Sequence, residues 1–554
     1  GYVLAFSWNI MWMDAIYLLP LIILGLVRLV RDSRGFFYCI TLAVALLSNF
    51  YIAFFICFFV LLYYPVCLFQ YNSIKKPALL VKKTAKFAGF SLLSGGLSAT
   101  LLLPTFFALK TTSAAGDVFP KTITHYFDLF DYITRHFTAA PPSIREGMPN
   151  LYCGIIVLIL IPIYFLSKSI KLKEKLWHLV LLAMLVLSFN INILSFIWHG
   201  FHYPNQVPYR FSFVYIFLFL SMCYDAFKRL DEFTGKQIGA ICMTVLGLVI
   251  ISQKFDDLSL EYTTLYSSII FIILYAAAFN LDRSSYKIQS SKIHSLKIQF
   301  SHLPKTLFIF LVIAAEVVTS TVLITMKIDS IEGYSLRDGY SSGKEVTQIR
   351  EWISNIEKED KDFYRMEILP PKTTNDPYLY NYRGLSMFSS TLPEKTVKMF
   401  ENLGYHSNSI NSYEYEGSTA ILDSLFGIKY LIYRSPNIEE HLYRQIEATD
   451  EMTVFKNPYA LSLGFQTPDK LKKFYSTSSN PFDAQNSLVN YICGIKDILI
   501  PIEQERGNQD NLTFSSSGTK YYSFNRTNKE ISSTARIKFK IEKGQQVYLY
   551  YKAP

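Results

Sequence analysis

The chain has 554 residues, of which 51% are hydrophobic, 16% aromatic and 18% charged. That is too apolar for an ordinary soluble protein and describes a polytopic membrane protein with a polar part. The net charge of +10 is no nucleic-acid signal, because the basic residues sit in short loops between apolar spans.

A span needs about 20 apolar residues, and shorter ones are tolerated in packed bundles. The candidates are 1–8, the tail of a helix, then 15–30, 36–48, 50–68, 87–107, 151–167, 177–195, 211–226, 238–253, 264–280 and 306–325. This predicts ten complete spans in residues 1–325, with residues 326–554 as a soluble region. The apolar run 36–69 is too long for one upright helix and short for two. Charge decides it, since Arg31 and Arg34 precede the run and Lys75, Lys76, Lys82, Lys83 and Lys86 follow it. If both clusters are cytoplasmic the chain crosses twice between them, reversing near Ser48-Asn49.

The later loops alternate in the same way. Lys168, Lys171, Lys173 and Lys175, then Lys228, Arg229 and Lys236, then Arg283, Lys287, Lys292, Lys297 and Lys305 fall inside. Residues 9–14, 110–150, 196–210, 254–263 and everything after 326 fall outside. The chain starts at Gly1 within an apolar run and stops at Pro554 after a strand-like stretch, so it reads as an internal fragment.

Asp14 then stands on the outer face, where a helix enters lipid. A carboxylate there is costly if it faces lipid, so it is expected to face protein or a water-filled cavity. Trp8 and Trp12 beside it are interfacial anchors on the plainest reading. In the outer segment 110–150, Tyr126, Phe127, Phe130, Ile133 and Phe137 recur at near-helical spacing, which predicts a helix lying in the interface.

The short outer loop 198–211 brings His199, His202, Asn205, Gln206, Tyr209 and Arg210 to the mouth of two helices. Two histidines three apart without a nearby carboxylate are a weak metal signal. Arg210 has a plain reading, snorkelling to lipid headgroups, and a functional one, a bidentate clamp on phosphate oxygens. Glu316 lies mid-span. An intramembrane acid is functional by default, but a carboxylate bonded to a neighbouring helix would leave the same sequence.

The soluble region predicts mixed short elements. Glu345–Ile356 and Glu394–Leu403 read as helices, the second stopped by Gly404. Residues 362–369 and 428–434 read as strands. Ala535, Ile537, Phe539 and Ile541 alternate with basic residues, Lys543-Gly544 turns the chain, and Val547, Leu549 and Tyr551 resume the alternation. This predicts an antiparallel hairpin of a β-sandwich. The sequons at Asn511 and Asn525 are three-residue matches of low specificity. Six of the seven cysteines lie in or beside apolar spans, with no disulfide framework or zinc spacing. The region has no P-loop, Gly-x-Ser-x-Gly, His-Glu-x-x-His or Gly-x-Gly-x-x-Gly.

Four stretches carry a family resemblance: Ser7-Trp-Asn-Ile-Met-Trp-Met-Asp14 with Leu18-Leu-Pro20, Ser48-Asn-Phe-Tyr-Ile52, Gly147-Met-Pro-Asn-Leu-Tyr-Cys-Gly154, and Tyr203-Pro-Asn-Gln-Val-Pro-Tyr-Arg-Phe-Ser-Phe213. Phe363-Tyr-Arg365, Gly404-Tyr405 and Leu425-Phe-Gly-Ile-Lys-Tyr-Leu431 add to it. In order and spacing the chain resembles the bacterial YfhO membrane protein family, which is similar to the GT-C glycosyltransferases. In Gram-positive bacteria such proteins are associated with teichoic acid glycosylation.

The resemblance implies a GT-C-like bundle followed by an extracytoplasmic α+β and β-sandwich region. It implies transfer of a sugar from a polyprenyl-phosphate carrier to a cell-envelope polymer at the outer face of the bacterial membrane. Its partners would be membrane lipid, the lipid-linked donor and the polymer acceptor, with no nucleic acid. Asp14 would be a general base or hold a divalent cation, the one candidate cofactor. Arg210, with His199, His202 and Tyr209, would hold the donor phosphate. Asn9, Trp12, Asn49, Tyr51, Asn150, Tyr152 and Asn205 would line the pocket. Where related proteins often carry an aromatic after the Pro-Asn pair, this chain has Gln206. The competing reading is a transporter or flippase of a lipid-linked sugar, which would show broken helices and inverted repeats. A membrane-anchored wall-binding protein would need one span rather than ten.

Overall fold

The structure is a computed structural model. It describes residues 1–551 apart from 72–76, 129, 255–259, 281–304, 335, 437, 439, 476–479, 503, 518–520 and 543. Lys75, Lys76, Arg283, Lys287, Lys292, Lys297 and Lys543 of the expected loops and turn therefore lie outside the described residues. The chain forms two compact units, Gly1–Phe107 with Ala114–Tyr334, and Ala108–Ser113 with Ser335–Pro554.

The first unit is helical. Among the described residues, five helices are long and apolar enough to cross a membrane, or six if one bent pair counts as a span. They include Ile10–Asp32, Phe50–Gln70, Gly235–Ser252 and Tyr262–Asn280, and the fifth begins within Lys305–Glu332. Phe36–Ser48, Ile156–Leu166 and Ser212–Phe227 are apolar but shorter. The ten expected spans thus map onto fewer full-length helices, for local reasons.

The run 36–69 is two helices, Phe36–Ser48 and Phe50–Gln70, with Asn49 extended between them. Asn49 Oδ1 accepts from the Ile52 amide at 3.0 Å, capping the second helix. Segment 87–107 is the bent pair Pro77–Leu97 and Ala99–Leu109, turned through 77°. Ser98 Oγ at the break donates to the Ala43 carbonyl at 3.1 Å, and Ser94 Oγ donates to the Cys39 carbonyl at 3.0 Å. These bonds hold the bend against Phe36–Ser48. Segment 151–167 is helical only over Ile156–Leu166, because the chain through Gly154, at φ +107, approaches the helix in a non-helical conformation.

Segment 177–195 divides at Ile191 into Leu172–Asn190 and Asn192–Trp198. The division also explains why the expected interfacial helix over Tyr126–Phe137 does not form. Asn190 Oδ1 accepts from the amides of Tyr126 and Phe127, and Asn192 Oδ1 accepts from that of Thr124. These bonds, with the isolated strand bridge of His125 to Ile191, hold residues 124–127 against the helix break rather than in a helical turn. Only Asp131–Thr134 makes a helical turn.

The second unit is built on a four-stranded sheet, in the order Arg365–Leu369, Ile428–Tyr433, Thr453–Lys456, Arg444–Ala448. The first two strands are parallel and the remaining pairs antiparallel. The amphipathic helix Lys344–Glu359 lays Val346, Ile349, Trp352, Ile353 and Ile356 against Met366, Ile368, Tyr430 and Ile432. On the other side Leu431 and Phe455 pack with Val397 and Phe400 of Glu394–Asn402. Gly404, at φ +102, ends that stretch as expected.

The C-terminal hairpin is paired differently from the expectation. Thr534–Phe539 pairs antiparallel with Gln504–Asp510, and Leu512–Ser517 pairs with Tyr521–Arg526. Residues 547–551 form no strand. Asn511 sets the pairing: its Nδ2 donates to the carbonyls of Asn528 and Ile531, and its Oδ1 accepts from the Asn528 amide. The returning chain is thereby laid beside 504–510. Tyr548 instead turns back to the sheet domain, where its hydroxyl accepts from the Ala420 amide at 3.0 Å. Among the described residues these strands make two separate two-stranded sheets, in place of the single hairpin expected over 535–551.

Candidate functional site

Three helices of the first unit begin at one place. Asn49 Nδ2 donates to the Met11 carbonyl at 3.1 Å, which holds the start of Ile10–Asp32 beside the start of Phe50–Gln70. Arg210, two residues before Ser212–Phe227, reaches both. Its guanidinium carbon lies 5.6 Å from the centre of a Trp12 ring and 5.1 Å from that of Tyr51. Three helix N-termini, the positive ends of the helix dipoles, thus lie close to this spot.

The loop that carries Arg210 is held by its own side chain. Arg210 Nε donates to the Val207 carbonyl at 2.9 Å and Nη2 to that of Gln206 at 2.8 Å. Tyr2 donates its hydroxyl to the Arg210 carbonyl at 2.7 Å. Val207 and Tyr209 adopt positive φ angles to make the turn. Among the described residues Arg210 has no carboxylate partner. Arg145 of the neighbouring loop does, gripping Glu332 through Nε and Nη2. The half-buried Arg210 is thus a cation between two aromatic rings, at three helix starts, whose charge no protein anion neutralises. Such a place favours an anionic ligand.

His199 and His202 adjoin it, with ring centres 6.4 Å apart and that of His202 6.1 Å from Tyr51. His199 is fully buried in the loop after Asn192–Trp198. Burial pushes its imidazole down to about 3, so it carries no charge at neutral pH. A neutral ring offers an anion no charge, so of the two side chains Arg210 is the cation. Asn9 is buried at the start of Ile10–Asp32 beside Trp12, and its side chain makes no capping bond. The Tyr51 hydroxyl is buried beside the guanidinium.

The other expected residues lie elsewhere or serve the frame. Asp14 is exposed on the second turn of Ile10–Asp32 and has no hydrogen bond or ion pair among the described residues. Residues two apart on a helix point about 200° apart, so Asp14 does not share the face of Trp12. Tyr209 is buried among Tyr126, Phe127 and Phe189. Asn150 ties its loop together, accepting from the Ser143 amide and donating to the Ser143 carbonyl. Asn205 is exposed. Gln206 accepts from Arg145 through Oε1 and from Arg210 through its carbonyl.

Tyr152 belongs to a second polar centre around Glu316. That carboxylate, 2% exposed, accepts from Thr138 Oγ1 at 3.1 Å, the Tyr152 hydroxyl at 2.8 Å, the Ile155 amide at 2.6 Å and the Tyr275 hydroxyl at 2.7 Å. Four donors from three separate parts of the chain leave it a saturated structural acceptor rather than a free acid.

In the second unit, buried Glu367 accepts from the amides of Leu385 and Ser386, yet burial pushes its carboxyl up to about 7. Asp423, also raised by burial, accepts from Tyr415, Ser418 and Tyr443. Among the described residues one group has the donor set for a metal ion, His406, Glu414 and Glu416, with ligand atoms all within 4.8 Å. It is largely exposed, with His406 and Glu414 facing each other on the paired strands His406–Ser407 and Ser412–Glu414 and Glu416 just beyond them.

The model of the family described as "Bacterial membrane protein YfhO" matches residues 1–553. The chain is 21% identical over 461 residues to a Bacillus subtilis (strain 168) protein named "Uncharacterized protein YfhO", covering 81% of this chain and 49% of that one. The chain thus spans about half the length of the curated relative it matches. No solved structure matches it.

Proposed function

This chain belongs to the YfhO family of bacterial membrane proteins, and on that premise we propose that it is a GT-C-like glycosyltransferase. It moves a sugar from a polyprenyl-phosphate carrier to a cell-envelope polymer, of the teichoic acid kind, at the outer face of the membrane. The observation that carries this reading is Arg210, a cation without a carboxylate partner among the described residues, at three helix starts in a multi-pass bundle. A lipid phosphate is the anion a membrane delivers to such a place.

In the transfer, the acceptor hydroxyl attacks the anomeric carbon and gives its proton to a carboxylate. The bond from that carbon to the phosphate oxygen breaks, and its electron pair leaves with the phosphate, whose charge Arg210 stabilises. Asp14, exposed and with no ion-pair partner among the described residues, is the candidate base; it points away from Trp12, so it would serve an acceptor that arrives from the other side of its helix. A general base contributes about 10²–10⁴-fold, so Asp14→Asn in the full-length protein is expected to cut transfer at least about tenfold at normal protein level. The readout is labelled sugar moved from a polyprenyl-phosphate hexose to the polymer. Full activity places the base elsewhere in the protein.

One observation favours a flippase instead, the 77° break between Pro77–Leu97 and Ala99–Leu109. Proteoliposomes separate the readings. A transferase cleaves the lipid-linked sugar, whereas a flippase moves it intact between leaflets. In either case the lysine-rich loops are assigned to the cytoplasm and residues 326–554 to the outside. In intact cells, a cysteine at Lys171 is expected to be protected from an impermeant thiol reagent and one at Asp450 to be labelled. The reverse pattern would overturn the orientation.

A further inference from the structure

Around Arg210 and the helix starts it touches, four buried polar atoms have no hydrogen-bond partner among the described residues: His199 Nε2, Asn9 Nδ2, Ser212 Oγ and the Tyr51 hydroxyl. More than nine in ten buried polar groups in native proteins are paired, so four orphans around one uncompensated cation mark a place that a ligand completes. His199 is 0% and Asn9 7% exposed.

Geometry sets the tautomer of His199. Its Nδ1 lies 2.7 Å from the Ser195 carbonyl oxygen, which can only accept, so Nδ1 carries the proton. The neutral ring then presents a bare lone pair at Nε2. That lone pair needs a donor, and ionised phosphate oxygens offer none. Asn9 Nδ2 is the opposite case, a donor in need of an oxygen. The rings of Phe55, Phe211 and His202 stand around His199 at 6.1, 5.7 and 6.4 Å. His202 in turn adjoins Tyr51, and Tyr51 adjoins Arg210. The buried acceptor is therefore linked to the cation through two rings, those of His202 and Tyr51.

We propose that His199 and Asn9 read the neutral part of the ligand whose anion Arg210 holds, with a ligand hydroxyl donating to His199 Nε2 and a ligand oxygen accepting from Asn9 Nδ2. This rests on the anion reading of Arg210 given above and deepens it. The site would then distinguish a hydroxyl-rich anion, such as a sugar phosphate, from a bare lipid phosphate. His199 acts here as a specificity-determining residue rather than as a charge.

The test uses the full-length protein in lipid nanodiscs and two probes, polyprenyl phosphate and a polyprenyl-phosphate hexose. His199→Phe keeps a ring among Phe55, Trp198 and Phe211 while removing the lone pair. It is expected to weaken binding of the hexosyl lipid about fivefold or more, the scale of one hydrogen bond, and to leave binding of the bare phosphate unchanged. Asn9→Ala, which removes no capping bond, is expected to show the same selective loss and serves if His199→Phe fails to fold. Equal loss for both probes, or loss for neither, overturns the proposal; the second result would mean that an ordered water meets Nε2. Arg210→Gln keeps the two hypotheses apart. Unchanged binding of both probes in that variant refutes the anion reading itself. Loss of both there, with no selectivity in the His199 and Asn9 variants, refutes only the hydroxyl reading.

Discussion

Arg210→Lys is expected to weaken binding of polyprenyl phosphate at least about tenfold and to lower sugar transfer in the same proportion. The charge survives this substitution, but the geometry does not. The guanidinium spends Nε on the Val207 carbonyl and Nη2 on that of Gln206, and lies against Trp12 and Tyr51. An ammonium group cannot hold the loop and present a planar fork to phosphate at once. A hydrogen bond to a charged group is worth about 1.5–3 kcal/mol, so losing one to the ligand already accounts for a tenfold effect. Isothermal titration with polyprenyl phosphate in nanodiscs measures it. Arg229→Lys is the control, since Arg229 pairs with Asp225 at the far end of Ser212–Phe227 and, among the described residues, has no bond to the groups that hold Arg210. Wild-type affinity in Arg210→Lys would return Arg210 to a loop-closing residue.

The parts of this fold that could be read from the sequence are those decided within a few residues. The reversal at Asn49 is one: charge clusters on either side require two crossings, and Asn49 caps the second helix by itself. Lys344–Glu359 is another, since its apolar positions recur at helical spacing and meet the sheet. The reading failed where a distant side chain takes over backbone groups. The near-helical pattern after His125 is real, but Asn190 and Asn192, more than 60 residues on, hold residues 124–127 against the helix break at Ile191, where His125 pairs as a strand bridge. In the same way Asn511 directs Thr534–Phe539 to a strand that precedes it by 24 or more residues instead of to the next apolar run.

The site divides along the same line. Trp12, Tyr51, His202 and Arg210 were legible as polar or aromatic groups at the outer ends of helices, and the structure brings them together. Their meeting depends on the Asn49–Met11 bond, which no local pattern signals. That Asp14 and Trp12 face different ways was legible in principle, because two residues span about 200° of helix. The unpaired atoms of Asn9 and His199 were not, since satisfaction of a buried group is a property of the packed state.

Glu316 shows how far this matters for a residue that invites a functional reading. Its four donors lie on Thr138, Tyr152, Ile155 and Tyr275, so the carboxylate joins two loops and a second helix to Lys305–Glu332. Glu316→Ala leaves three of these donors, Thr138 Oγ1, the Ile155 amide and the Tyr275 hydroxyl, buried without an acceptor, while the Tyr152 hydroxyl keeps Ser320 Oγ at 2.6 Å. At about 1 kcal/mol each, the low side of the cost of an unsatisfied buried group, the loss is about 3 kcal/mol. That is a large share of the stability of an ordinary protein, so the variant is expected to show a sharply reduced yield of folded protein. Glu316→Gln keeps one carbonyl oxygen, and its amide can donate to the Tyr275 hydroxyl. It is expected to fold at a lower melting temperature than the wild type but above that of Glu316→Ala, with transfer per folded molecule unchanged. Fluorescence-detected size exclusion after heating measures the first quantity, and the labelled-sugar assay on the purified monodisperse fraction measures the second. A Glu316→Gln protein as stable as the wild type but inactive would reverse the assignment, making the carboxylate's charge the functional property and its hydrogen bonds the support for it.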